Sequence, residues 1–346
     1  MTINSIITEH YREDEYPVCL SQAKAWGASR PLEGMTILDA TPIYRNTLVK
    51  HKALLDSGAK LIVGRTSLIQ GDDKIVKLLK DNEIKIVDSK EQQTDEIDFI
   101  LDCAAAFSHW TPKIGYVELT RSGVEKYKNK NLPVFVADSG RIKRIETSLG
   151  TGESYFRALK QLGHTIPEGS RIVIFGSGKV GSGLLTYSVK YGLNPIVITE
   201  LSSVTEVVQR LASDIIDHRD VEKVAEAISG AHAVVTATGI KGAASHPCIT
   251  EALLNSSALI ANMGVEDEYG PALPRERALR NKMPLNFILE EPTHLKYIDA
   301  TMGLHNEGIF HILEHPEAKG MIDPPSELEE RLLGITRKYG CIDCEI

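Results

Sequence analysis

RIVIFGSGKVGSGLLTYSVKYG (171–192) decides the fold. An apolar run of strand character meets a G-x-G-x-x-G turn and then a helical pattern, the context in which that motif predicts a dinucleotide-binding βαβ unit. Gly176 permits the tight turn, Gly178 lets backbone N–H groups approach a pyrophosphate, and Gly181 lets helix and strand pack closely. Ser177, Lys179 and Val180 complete the loop, and the helix start turns its unpaired N–H groups and positive dipole end toward the phosphates. Twenty-four residues past Gly176, NPIVITE (194–200) ends in Glu200, whose carboxylate can accept hydrogen bonds from both ribose hydroxyls and would repel a 2′-phosphate. The cofactor expected is therefore NAD. Thr236, Thr238 and Gly239 end AHAVVTATG (231–239), and Asn262 lies in ALIANMG (258–264). Ligands bind outside the carboxyl ends of the strands in such sheets, so these residues are expected cofactor neighbours.

Outward from this unit, strands alternate with helical patterns. Before it lie MTILDA (35–40), KLIVG (60–64), IKIVD (84–88), FILDCAA (99–105), GYVEL (115–119) and PVFVADS (133–139), most of them separated by helical stretches. Buried strands with crossover helices imply parallel sheets. Residues 146–163 predict one long helix bridging two domains, and 181–191, 203–213, 221–228, 294–313 and the final PPSELEERLLGITRKYG predict others. A chain of 346 residues exceeds the usual limit of a single core. The expected fold is α/β in two domains: a Rossmann NAD-binding domain (165–290) inserted in a parallel-sheet substrate domain made of 1–164 and 291–346.

The formal charge of −8, from interspersed rather than blocked charges, excludes nucleic acid and anionic membrane as the default partners and favours a small molecule. The polar start and the lack of an apolar run of about 18 residues predict neither signal peptide nor membrane span. Five scattered cysteines suit a reducing compartment, so a cytoplasmic location is expected. Cys341 and Cys344 lack a second pair at zinc-finger distance, and the histidines show no ligand spacing; no catalytic metal is predicted.

A chain of local patterns resembles the S-adenosylhomocysteine hydrolase family: FILDCAAAF, YVELTRSGV, ADSGRIKRIETSLGTGES, GSGKVGSGLL, IVITE, VVTATG, ALIANMG and DATMGLHNEG, in the family's order over roughly residues 36–310. The resemblance implies a tightly held, recycled NAD that oxidises a substrate hydroxyl before elimination, and a homo-oligomer, dimer or tetramer. This sequence departs from the family at the proton-handling positions. The paired aspartates become Asp102-Cys103, and the acidic pair becomes Glu118-Leu119. The lysine position holds Ile142 with Lys143 adjacent, the aspartate is Glu146, the asparagine Thr147 and a histidine Val265. The early histidine has no counterpart in LDATPIYR, and His305 stands one residue beyond the late one. The family's long C-terminal extension has no counterpart either.

The candidate catalytic residues are accordingly Lys143, Glu146, His305, Glu118 and Asp102, with Asn306 another polar residue that could face the nicotinamide. Lys143 can act as acid or base if burial lowers its pKa, or can belong to a solvated basic face with Arg141 and Arg144. His305 suits proton transfer or a local hydrogen bond in a loop. Thr120 and Ser122 fall where the family's threonines touch the nicotinamide side of NAD. Cys103, beside a run of alanines, reads as a small buried filler. A redox enzyme, a hydrolase with relocated groups and a non-catalytic NAD-binding protein all remain compatible with this pattern.

Overall fold

The computed structural model describes residues 1–66 and 71–344. The chain divides into two compact units, Met1–Lys143 with His294–Ile346, and Arg144–Thr293. Each is described by itself.

The first unit opens with α1 (Ile3–His10) and α2 (Pro17–Ser29), then runs β1 (Thr36–Asp39), α3 (Leu48–Asp56), β2 (Lys60–Arg65), α4 (Asp73–Asp81) and β3 (Lys85–Asp88). It continues through β4 (Phe99–Asp102), β5 (Gly115–Glu118), the short α5 (Arg121–Val124), β6 (Pro133–Val136) and a helical turn α6 (Ile142–Arg144) that straddles the boundary. Among the described residues these strands and the later β12 (Gly320–Ile322) form one parallel sheet in the order β12-β6-β5-β4-β1-β2-β3. From β3 to β6 this is the doubly wound order 3-2-1-4-5-6, which reverses direction between β1 and β4. Side chains alternate across each strand, so Leu38, Ile100 and Tyr116 join Phe107, Trp110 and Tyr127 in an apolar core on one face. The other face is covered by α3 and by α12 (Leu295–Glu314), beside which α2 and α13 (Ser326–Tyr339) are packed. The N-terminus of α2 has no side-chain cap of its own; Asp299 of α12 accepts the Val18 and Cys19 N–H groups at 2.8 and 3.0 Å.

The second unit begins with a π-helical stretch, Ile145–Gly150, and α7 (Thr151–Gln161), followed by β7 (Arg171–Phe175), α8 (Lys179–Lys190) and β8 (Asn194–Thr199). It then runs α9 (Glu206–Leu211), β9 (Asp214–Asp217), α10 (Val221–Ser229), β10 (Ala233–Thr236), α11 (Pro247–Asn255) and β11 (Leu259–Asn262). All pairings are parallel and the order is β11-β10-β7-β8-β9, reversing between β7 and β10. Alternation along β7 makes three layers. Ile172 and Ile174 meet Tyr155, Ala158 and Leu184 on one side, while Val173 and Phe175 meet Val224, Ile228 and Leu253 on the other.

The fold is therefore α/β in two units, with the Rossmann-type one inserted in the chain of the other. The boundary falls at Arg144, ahead of 165, because α7 contributes Tyr155 and Leu159 to the core of the second unit. The expected helix 146–163 is interrupted by the π-helical stretch. Strands β9 and β12 and helix α11 had no counterpart in the sequence reading: β9 carries Asp214 and Asp217 at its ends, and β12 spans three residues.

Candidate functional site

In the second unit the glycine loop lies where the strand order reverses, the position at which such sheets bind ligands. Gly176 has φ 101°, a left-handed conformation that side chains resist, and a Cβ there would come within 2.6 Å of the Ala237 carbonyl oxygen. A Cβ on Gly181 would overlap the Gly176 carbonyl oxygen, so α8 lies directly against the turn. A Cβ on Gly178 would meet nothing within 4 Å. Gly178 is also the residue before α8, whose first turn has no side-chain cap. Open space thus faces unpaired donors at a positive helix end, the arrangement a pyrophosphate needs. Ser177 Oγ lies 2.8 Å from Thr199 Oγ1, tying the loop to the end of β8, and Glu200 follows there, exposed.

Across the reversal, the ends of β10 and β11 are held from within. Glu268, fully buried, accepts the Thr238 N–H at 2.9 Å, the Thr238 hydroxyl at 2.7 Å and the Gly239 N–H at 2.8 Å. Asn262 accepts the Gly264 N–H at 2.8 Å and the Thr236 hydroxyl at 3.1 Å. Its amide donates to the carbonyls of Glu266 and Lys282 at 2.7 and 2.8 Å. Its amide hydrogen bonds are thus made within the protein.

In the first unit the ends of β1 and β4 carry two polar groups on opposite faces of the sheet. On the α3 and α12 face, Asp39 pairs with the Lys50 ammonium, and His51 Nε2 lies 3.5 Å from Asp39 Oδ2; all three side chains are fully buried. Burial alone would raise the Asp39 carboxyl, but Lys50, His51 and His305 outweigh it and hold it below the usual carboxylate range. Burial lowers Lys50 and pushes His51 down to about 4. His305, on α12 and fully buried, has Nε2 2.9 Å from the Val117 carbonyl oxygen, a contact that requires the proton on Nε2. Burial, and then Lys50, pushes this imidazole down to about 3. His305 Nδ1, both ring nitrogens of His51 and Thr41 Oγ1 are buried without hydrogen-bond partners. Orphaned polar atoms are costly and rare in native interiors, so four at one strand end mark a place built for polar company.

On the opposite face, Asp102 and Glu118 organise the loop after β4. Asp102 accepts the Cys103 and Phe107 N–H groups at 2.8 and 2.9 Å and the Tyr127 hydroxyl. Glu118 accepts Ala104 N–H and Ala105 N–H at 3.0 and 3.1 Å and the Thr120 hydroxyl at 2.6 Å. Ala104 and Ala105 have φ of 56° and 52°, strain that these carboxylates hold in place. Burial, and then the neighbouring Glu118, pushes Asp102 up to about 7; burial also raises Glu118.

No family model matches the chain. It is similar to the adenosylhomocysteinase of Thermoplasma acidophilum, with 23% identity over 260 residues, 67% of this chain and 62% of that protein. The adenosylhomocysteinase of Archaeoglobus fulgidus is 23% identical over 71% of this chain and 66% of its own length. The S-inosyl-L-homocysteine hydrolase of Methanopyrus kandleri is 22% identical over 54% and 51% respectively. The chain is a divergent adenosylhomocysteinase-like protein. It spans less than two thirds of the length of these relatives, 62% for the first. Among solved structures, a dipicolinate synthase chain from Bacillus halodurans shares the fold, with a TM-score of 0.51 at 12% identity, covering 82% of this chain and 98% of that one.

In this adenosylhomocysteinase-like chain, the glycine loop, uncapped helix start and Glu200 have the features of an NAD site. The candidate catalytic residues do not gather in one group. His305 stands on the face of Asp39 and Lys50, while Asp102 and Glu118 stand on the other with Thr120; Ser122 is exposed and bonds Thr120 at 3.2 Å. Lys143 is not on a solvated basic face: it is buried, 4.0 Å from Asp138, because α6 turns it inward while Arg141 and Arg144 stay exposed. It also acts electrostatically on His305. His305 is not in a loop but within α12. Asn306 is buried beside Gln22 of α2. Glu146 lies in the π-helical stretch of the second unit, half-buried. Asp39, Lys50, His51 and Glu268 stand in no motif of the sequence that marks them as functional. The Lys50-His51 pair within an apolar helical pattern is the one signal that could have raised the first three. Among the described residues, no group of three or more His, Cys, Asp or Glu could hold a metal, and no helix is long and apolar enough to cross a membrane.

Proposed function

We propose that this chain is an NAD-dependent enzyme, a dehydrogenase, reductase or oxidation–elimination lyase, acting on a small polar metabolite or nucleoside. The observation that carries the reading is the buried Asp39–Lys50–His51–His305 group, with unengaged ring nitrogens, where the first unit's strand order reverses. A protein that merely sensed NAD would have no need of orphaned histidines in its other unit.

On this reading residues 144–293 hold the cofactor, while 1–143 and 294–346 hold the substrate. Gly176 through Gly181 would cradle the pyrophosphate and Glu200 the adenosine ribose; Thr236, Thr238, Gly239 and Asn262 shape the adjoining strand ends. When bound, NAD supplies a hydride acceptor and donor. The protein's own contribution is proton handling. His305 stays neutral because charging it beside Lys50 in a dry interior is unfavourable, and its Nδ1 lone pair can accept a hydrogen bond from a substrate hydroxyl and orient it. Lys50, held by Asp39, fixes that protonation state, and Lys143, buried 4.0 Å from Asp138, is the group available as acid or base. Asp102 and Glu118 serve as positioning residues for the 103–107 loop. The names of the relatives, adenosyl and inosyl, favour a purine nucleoside thioether or a compound of that shape as substrate. A homo-oligomer in the cytoplasm completes the reading.

The purified chain is expected to turn NAD to NADH on addition of a suitable alcohol or nucleoside, seen in near-ultraviolet absorbance. His305→Gln should abolish the turnover and keep NADH binding. Release of homocysteine from S-adenosylhomocysteine would favour the second reading, a hydrolase in which Lys143 and His305 stand in for the family's groups; the burial of Lys143 is what supports it. NADH binding without conversion across a nucleoside and alcohol panel would favour a regulatory protein.

A further inference from the structure

The corner between β9 and α10 adjoins Glu200. Thr199 of β8 stands opposite Asp217 of β9, and the His218 N–H donates to the Thr199 carbonyl at 3.0 Å. Glu200 and the segment 217–220 therefore lie side by side at the carboxyl edge of the sheet. Arg219, its side chain 67% exposed, interacts electrostatically with Glu200. Its guanidinium is nonetheless turned onto Asp217: Nε donates to Oδ1 at 2.8 Å and Nη2 to Oδ2 at 2.7 Å, while the Arg219 backbone N–H adds a bond to Oδ1 at 2.9 Å. His218 Nδ1 lies 3.6 Å from the same carboxylate. The next cation, Lys223, is matched in the same way, 2.7 Å from Asp220. Arg219 and Lys223 each have an acid beside them, and Glu200 adds a further negative charge.

We propose that Asp217 is a second determinant of NAD over NADP: by holding the Arg219 guanidinium in a two-bond pair, it keeps that cation from serving a 2′-phosphate beside Glu200. An arginine near the ribose is the group that accommodates the 2′-phosphate in sheets of this kind, and its planar fork suits phosphate as well as carboxylate. The fork is present here and already occupied. The arrangement rests on the cofactor reading above and extends it from one carboxylate to two. Because the pair is at an exposed edge, it contributes little to stability and can be altered without unfolding the chain.

The full chain, freed of bound nucleotide, is titrated with NADH and with NADPH and followed by nicotinamide fluorescence. Asp217→Ala is expected to raise NADPH affinity about tenfold and to leave NADH affinity within about twofold. Adding Arg219→Ala to that variant should return NADPH affinity to the starting level. If NADPH affinity is unchanged in Asp217→Ala, or if the gain survives removal of Arg219, the proposal is overturned while NADH binding keeps the cofactor reading intact. If the unaltered chain binds neither nucleotide, both are overturned.

Discussion

Asp39 and Lys50 are charges taken fully out of water, and such a pair costs more to break than it gains by forming. Removing one partner strands the other. Lys50→Met and Asp39→Asn are each expected to lower unfolding free energy by about 3–5 kcal/mol in urea, and the double variant by clearly less than the sum. Additive losses would show that the two do not act as a pair. Asp102 makes a different prediction. Its folded value of about 7 exceeds the ordinary 3.8, so between those values the native chain keeps a proton that the unfolded chain releases. Stability from this group is full below about pH 4 and is lost as pH rises through about 7, a fall on the order of 4 kcal/mol. Asp102→Asn should flatten that limb in denaturation curves taken across the range, even as it lowers stability throughout by losing acceptor bonds; an unchanged slope would refute the assignment. His51 and His305 act in the opposite sense. Depressed to about 4 and about 3, they contribute stability above the ordinary 6.5 that is lost as pH falls toward those values.

At the scale of elements, the loop from β7 into α8 separates fold from binding. Gly181 fills a close approach, and any Cβ there collides with the Gly176 carbonyl, so Gly181→Ala should lower both melting temperature and NADH affinity. Gly178 faces open space, so Gly178→Ala should melt like the unaltered chain yet lose at least about tenfold in NADH affinity, as expected when a phosphate is kept from charged-type hydrogen bonds. Calorimetry with NADH titration distinguishes the two; equal melting losses would mean that both glycines serve packing alone. The strand, turn and helix of this element were readable because each step is local: a continuous apolar run, glycine where φ must be positive, and an acid at the next strand end. Strand β9 was not readable in the same way. Its acidic ends mask a short edge strand that forms only because β8 offers it a partner.

For the whole molecule, a ligand confined to the second unit should protect the sheet that binds it. NADH at about one hundred times its Kd adds about 2.7 kcal/mol to the stability of the bound unit, which hydrogen exchange would register as slower opening of β7, β8 and β10. Protection absent from those strands would place the nucleotide elsewhere. By itself the sequence determined the α/β class, the parallel strand series, the inserted Rossmann-type unit and the glycine-loop features of NAD binding, because each is written in periodicity and short-range turn chemistry. It could not decide which polar residues turn inward. Asp39 and His305 are far apart in the chain and became neighbours only when β1 settled between β4 and β2 and α12 returned over β5. The inward turn of Lys143 and the separation of Asp102 and Glu118 from His305 by the thickness of the sheet are likewise tertiary facts. They follow from which face of a strand each side chain leaves and which helix covers it, and no local pattern carries that information.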